Sequence, residues 1–62
     1  MLDAKYILVL ADTEEEIGGY KNKKTAEAAF YAALEAGQRV ELFGPGFIKT
    51  TENGQVVHWR LR

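Results

Sequence analysis

Apolar and polar positions along this chain repeat with two different periods. Between Thr25 and Gly37, TAEAAFYAALEAG, apolar residues fall at Ala26, Ala29, Phe30, Ala33 and Leu34. That i, i+3, i+4, i+7, i+8 spacing lines one face of a helix. Alanine has the best helix propensity, and Gly37 ahead of Gln38-Arg39-Val40 supplies a C-terminal stop. The N-cap is Asn22 or Thr25, with Asn22 favoured because it leaves Lys23 and Lys24 in a solvated first turn. Those lysines and Lys21 oppose the positive end of the helix dipole, and Glu27 partly offsets them. On the polar side Glu27, Tyr31 and Glu35 recur at i, i+4, i+8, a row expected to face solvent or a partner, with Tyr31 flanking the core.

Elsewhere the period shortens to two. Lys5 to Ala11, KYILVLA, is a short run rich in β-branched and aromatic residues and reads as a strand. Tyr6, Leu8 and Leu10 point one way and Ile7, Val9 and Ala11 the other, so both faces are apolar, as in an interior strand covered on both sides. Ile17-Gly-Gly-Tyr20 reads as a bend or a bulged second strand anchored to the core by Ile17 and Tyr20. Arg39 to Phe43 alternates, with Val40 and Leu42 toward the helix and Arg39, Glu41 and Phe43 outward. Gly44-Pro45-Gly46 ends that strand as a turn.

Asn53-Gly54 is the strongest turn signal in the chain and favours a two-residue type I′ hairpin. It sets Glu52 opposite Gln55, Lys49 opposite His58, Ile48 opposite Trp59 and Phe47 opposite Arg60. On this register Ile48, Thr50, Val57, Trp59 and Leu61 are expected to meet the helix. Phe47, Lys49, Thr51, Val56, His58, Arg60 and Arg62 are expected to face away, because the reverse would bury Lys49 and Arg60. The resulting expectation is a single α+β domain over residues 1–62. One helix packs on one face of a mainly antiparallel sheet of four or five strands, in the order β(β)αβββ.

Composition narrows what such a domain can be. A chain of 62 residues is short enough to bury only about 60% of its unfolded surface. It has no cysteine for a disulfide and one histidine, too few for a structural zinc site. A partner or a second copy is the remaining reinforcement. The apolar and charged fractions, 47% and 27%, are those of a folded protein. The longest apolar run is too short to span a bilayer, and MLDAKYILVLAD lacks the basic start and small-residue cleavage site of a secretory signal, so a cytoplasmic location without membrane attachment is expected.

The chemistry of the side chains argues against an enzyme. There is no cysteine and no serine, and His58 is the one base of near-neutral pKa, so nucleophile and base cannot be assembled as a hydrolase needs. Asp12, Glu14, Glu15 and Glu16 form an acidic run, but DTEEE lacks the alternating ligand positions and the glycine of a calcium loop. It reads as a solvated turn, with no metal and no cofactor expected. Gly44-Pro45-Gly46 leads into a strand and not a helix, so it is no phosphate cradle.

With one helix available for one face, the other face of the sheet is left for function. Ile7, Val9, Phe43, Phe47 and Val56 are expected there, rimmed by Lys49, His58 and Arg60 among other cations, which is the composition of a protein interface. A protein partner or a homodimer, engaged through this face or an edge strand, is the leading expectation. A platform for single-stranded nucleic acid, stacking bases on aromatics between basic side chains, is the weaker one, since the net charge is −1. A third is nucleic-acid mimicry by the acidic residues 12–16. In size and in its β-α-β-β-β economy the chain resembles small open reading frames of phages and mobile elements, many of which encode inhibitors. That resemblance implies one surface presented to a target.

Overall fold

The computed structural model describes residues 4–60, so the expectations for Leu61 and Arg62 lie outside the described residues. The chain runs β1 (Tyr6–Leu10), β2 (Glu16–Tyr20), α1 (Lys23–Glu35), β3 (Val40–Gly44), β4 (Phe47–Glu52) and β5 (Gln55–Arg60). The strands form one antiparallel sheet in the order β2-β1-β3-β4-β5, with α1 against one face. This is the α+β architecture that the two periodicities imply.

Both ends of α1 follow from local chemistry. Asn22 takes extended backbone angles, and its side-chain oxygen accepts the Thr25 N–H at 2.9 Å, satisfying one of the free amides of the first turn. At the other end Gly37 adopts φ +85, where a side chain would be strained. The Gln38 N–H then donates to the Ala33 carbonyl at 3.0 Å and the Gly37 N–H to the Leu34 carbonyl at 3.0 Å, the double closure of a Schellman motif. The stripe between these caps is the stripe read from the spacing. Ala26 and Phe30 are fully buried, Ala33 nearly so, and Ala29 and Leu34 pack at the margin.

Residues 16–20 pair with β1 as an edge strand, with a bulge opposite Leu8 and Val9. The sequence pointed to Ile17 as a core anchor, but Ile17 is exposed and only Tyr20 packs against the core. Gly18, opposite Leu8, lies on the helix side, so alternation sends Ile17 to the other. Because β2 lies beside β1, it does not cover that strand's outer face.

The Asn53-Gly54 turn forms as the dipeptide demands, with φ +54 and +79. Every pairing expected from it is present, from Glu52 with Gln55 to Phe47 with Arg60. The register is right and the faces are inverted. Phe47 is buried in the helix-side core, while Trp59, expected inside, is 52% exposed. Ile48, Thr50 and Val57 share the side of Trp59, whereas Lys49, Val56, His58 and Arg60 share that of Phe47.

The cause lies in the preceding turn. Pro45 and Gly46, the latter at φ +80, make a two-residue connection that sets Gly44 opposite Phe47 and Leu42 opposite Lys49. Residues opposite one another share a face, so Phe47 must follow Leu42 and Val40 inward. The objection that Lys49 and Arg60 would be buried fails for two reasons. Lys49 finds a carboxylate on the helix, and the backbone of α1 lies over β1, β2 and β3 only, leaving β5 beyond its reach.

Phe47 fits because its partner is a glycine. A Cβ on Gly44 would overlap Phe47 Cε1 and Cζ, and the ring is already held between Tyr6, with centroids 6.1 Å apart, and the edge of His58 at 5.0 Å. Gly44→Ala is therefore expected to destabilise the domain by about 1–3 kcal/mol through overpacking. Urea denaturation would read this. A partial recovery in Gly44→Ala/Phe47→Leu would locate the strain at the ring, and an unchanged midpoint for Gly44→Ala alone would refute the contact.

Candidate interaction face

The face of the sheet away from α1 carries a straight apolar row. Ile7 is paired with Phe43, Phe43 with Ile48, and Ile48 with Trp59, so four side chains stand side by side across β1, β3, β4 and β5. At the ~4.8 Å spacing of paired strands this row is roughly 14 Å long. Phe43 is 37% exposed and Trp59 52%. The next row along the strands contains Val9, Glu41, Thr50 and Val57. Val9 is buried although it belongs to no helix-side cluster, which shows that the second face has packing of its own. Thr50 Oγ1 approaches Glu41 Oε2 at 3.5 Å, a weak contact at the limit of a hydrogen bond.

Charge is divided between the two faces. Within the described strands the ionisable side chains on the open face are carboxylates, Glu16 opposite Val9, Glu41 also opposite Val9, and Glu52 opposite Gln55. The basic side chains Lys49 and Arg60 and the imidazole of His58 project on the helix side. Of the residues expected from sequence to make one interface, Ile7, Val9 and Phe43 do share the open face. Phe47, Lys49, Val56, His58 and Arg60 do not. The residues missed were Ile48, Val57 and Trp59, and the signal that finds them is the two-residue Pro45-Gly46 connection.

On the helix side Lys49 Nζ donates to Glu27 Oε2 at 2.7 Å and stands 5.5 Å from the centre of the Tyr31 ring. The row Glu27, Tyr31, Glu35 is thus only partly a solvent row, because Glu27 is occupied within the fold. Its side chain is 28% exposed and that of Lys49 12%. The hydrogen bond from Lys49 holds Glu27 below its ordinary value of 4.5, against the opposing effect of burial. For Lys49 burial is the largest influence and pulls downward, but the hydrogen bond and charge of Glu27, aided by Tyr31, outweigh it and leave the ammonium above its ordinary 10.5.

A depressed carboxylate stabilises above its unfolded value and loses that contribution as pH falls through the folded value; a raised ammonium does so as pH rises through its own. The pair is therefore at full strength between about pH 4.5 and 10.5 and fades outside that window. Glu27→Gln is expected to cost about 1–2 kcal/mol at pH 7, between the exposed and the buried ion-pair ranges. The difference from the parent chain should shrink below pH 4.5. A difference that stays constant down to about pH 2.5 would show that the ionised pair contributes nothing.

The acidic run forms the β1–β2 turn. The Glu14 N–H donates to the Leu10 carbonyl at 2.7 Å, the Leu10 N–H to the Glu15 carbonyl at 2.9 Å, and Glu14 takes φ +61. Asp12, Glu14 and Glu15 are exposed in the turn and Glu16 opens β2. Arg39 Nη1 lies 3.6 Å from Asp12 Oδ1, with both side chains over 70% exposed, a pair worth little in water. Among the described residues no cluster of three or more histidine, cysteine or acidic side chains is arranged to hold a metal ion, and no helix is long and apolar enough to cross a membrane.

Comparison with protein-family models, with curated proteins and with solved structures found no match.

Proposed function

We propose that this chain is a small non-catalytic binding module, acting in the cytoplasm, that engages a protein partner or a second copy of itself through the open face of its sheet. The observation that carries this reading is the apolar row of Ile7, Phe43, Ile48 and Trp59, on the face of the sheet away from the one described helix. A half-exposed tryptophan on the edge strand β5, joined through Ile48 to a partly exposed phenylalanine on β3, is the kind of aromatic anchor that dominates binding energy at protein interfaces. The absence of serine and cysteine from the chain leaves the same surface without a nucleophile of the usual kind.

The nucleic-acid reading draws no support from this arrangement. It requires aromatic rings and phosphate-binding cations on one surface, but Phe43 and Trp59 lie on the face opposite to Lys49, His58 and Arg60. Single-strand binding that weakens steeply with salt and with Arg60→Glu would reverse that preference.

The test is a folded variant that has lost the face. Phe43→Asp/Trp59→Asp is expected to keep the circular dichroism of the parent and to lose whatever the parent holds, either its dimer in light scattering or a protein captured from native host lysate and identified by mass. A parent that is monomeric and whose captured proteins all persist with the double variant would refute the reading.

A further inference from the structure

The charge distribution identifies the chemistry of the partner more closely than the apolar row alone. We infer that the open face takes a polypeptide segment with an apolar stripe flanked by lysine or arginine, the stripe lying on Ile7, Phe43, Ile48 and Trp59. This inference rests on the binding role proposed above. Its own basis is the one-sidedness of the flank. Glu16, Glu41 and Glu52 stand on the open face, all displaced from the apolar row toward the same end of the sheet. That end also receives the β1–β2 turn, which follows Leu10 and holds Asp12, Glu14 and Glu15 in solvent. The acidic run and the sheet face, separate features in the sequence, are thus continuous in space.

These carboxylates have only weak partners within the fold, Glu41 a 3.5 Å contact with Thr50 Oγ1 and Asp12 a loose pair with Arg39. The one close intramolecular ion pair among the described residues, Lys49 with Glu27, lies on the opposite side, and the pair of Asp12 with Arg39 is loose and exposed. Along this margin, among the described residues, Glu14, Glu15, Glu16, Glu41 and Glu52 outnumber the one cation, Arg39, which pairs loosely with Asp12. Such an excess of negative charge beside an apolar row repels acidic and phosphate-bearing partners and steers cationic ones. A second copy would bring the same carboxylates to the contact, so a cationic segment of another protein is the better complement.

Trp59 is the chain's one tryptophan and stands in the row itself, so its emission reports occupancy of the face directly. The probes are two designed amphipathic helical peptides with the same leucine stripe, one flanked by lysines and one by glutamates. The lysine peptide is expected to shift Trp59 emission to the blue and to bind about tenfold or more tightly than the glutamate peptide at low salt. Glu16→Lys/Glu41→Lys/Glu52→Lys should reverse the preference. Glu16→Lys/Glu52→Lys, which spares the contact of Glu41 with Thr50, should at least abolish it.

Equal binding of both peptides, lost in Phe43→Asp, would overturn the charge inference while leaving the apolar binding face intact. Binding that survives Phe43→Asp would overturn both. A blue shift that grows with protein concentration in the absence of peptide would replace the cationic segment by a second copy. Quenching by a single-stranded oligonucleotide with no response to the lysine peptide would replace it by nucleic acid.

Discussion

Phe47→Asp is expected to unfold the domain at neutral pH, while Trp59→Asp leaves it folded with a melting temperature within a few degrees of the parent. The two residues lie in adjacent strands, each a large aromatic, and the sequence alone favours the opposite outcome. Phe47 is 8% exposed and packs with Tyr6 and Leu42 beneath the helix. Removing the ring forfeits about 3–5 kcal/mol of burial and cavity energy, and placing an ionised carboxylate in the remaining space adds a desolvation penalty of a few kcal/mol more. A domain of this length has total stability near the lower end of the ~5–15 kcal/mol range. Lys23 Nζ, 5.9 Å from the ring centre, is a helix-start lysine with an exposed head and cannot fully compensate a buried charge.

Trp59 contributes differently. It is half exposed, and its packing in the fold is the cross-strand pair with Ile48, worth about 0.2–1 kcal/mol. Far-UV circular dichroism and thermal melts of the two variants decide the matter. If Phe47→Asp melts as high as Trp59→Asp, the assignment of faces in the β4–β5 hairpin is wrong, and with it the open-face row.

What the sequence made legible was local. The helix stripe, the Asn22 cap, the Gly37 stop and the Asn53-Gly54 turn each depend on residues within a few positions of one another, and each formed as its chemistry requires. The register of the last hairpin followed from the same kind of rule. The face of that hairpin did not, because a register fixes which residues stand together and says nothing of which side they occupy. That information passed through Gly44-Pro45-Gly46, which joins a strand with known inward residues, Val40 and Leu42, to one without. The preference for solvating Lys49 overrode it. Lys49 can lie largely hidden because Glu27 waits 22 residues earlier in the chain, a pairing that no local pattern announces. The candidate site inherited this inversion, keeping Ile7, Val9 and Phe43 and exchanging the hairpin residues for Ile48, Val57 and Trp59. The separation of aromatic from basic side chains, which turns the reading toward protein and away from nucleic acid, is a consequence of the same exchange.

Phe30→Ala should be the most damaging neutral substitution in the helix, costing about 3–5 kcal/mol and lowering the melting temperature by roughly 12–40 °C at the 4–8 °C per kcal/mol of a domain this size. Phe30 is one of three large side chains with no significant exposure, the others being Leu42 and Val40 on β3. The remaining buried helix positions are Ala26 and Ala33, small enough to let the helix lie close to the sheet but too small to fill a cavity left between them. Neighbouring Tyr31, edge-on to Phe30 with ring centres 5.2 Å apart, is held outside by Lys49 and cannot swing in without abandoning that contact. Because Phe30 is the one large helix side chain buried in the cluster it shares with Leu8 of β1 and Val40 and Leu42 of β3, amide exchange should accelerate in α1 and in both strands together, not in the helix alone. Protection lost only within α1 would mean that the sheet stands without it. The distinction reaches the binding face as well: Phe30→Ala is expected to abolish binding by loosening the whole sheet, whereas Phe43→Asp abolishes it in a protein that still melts cooperatively.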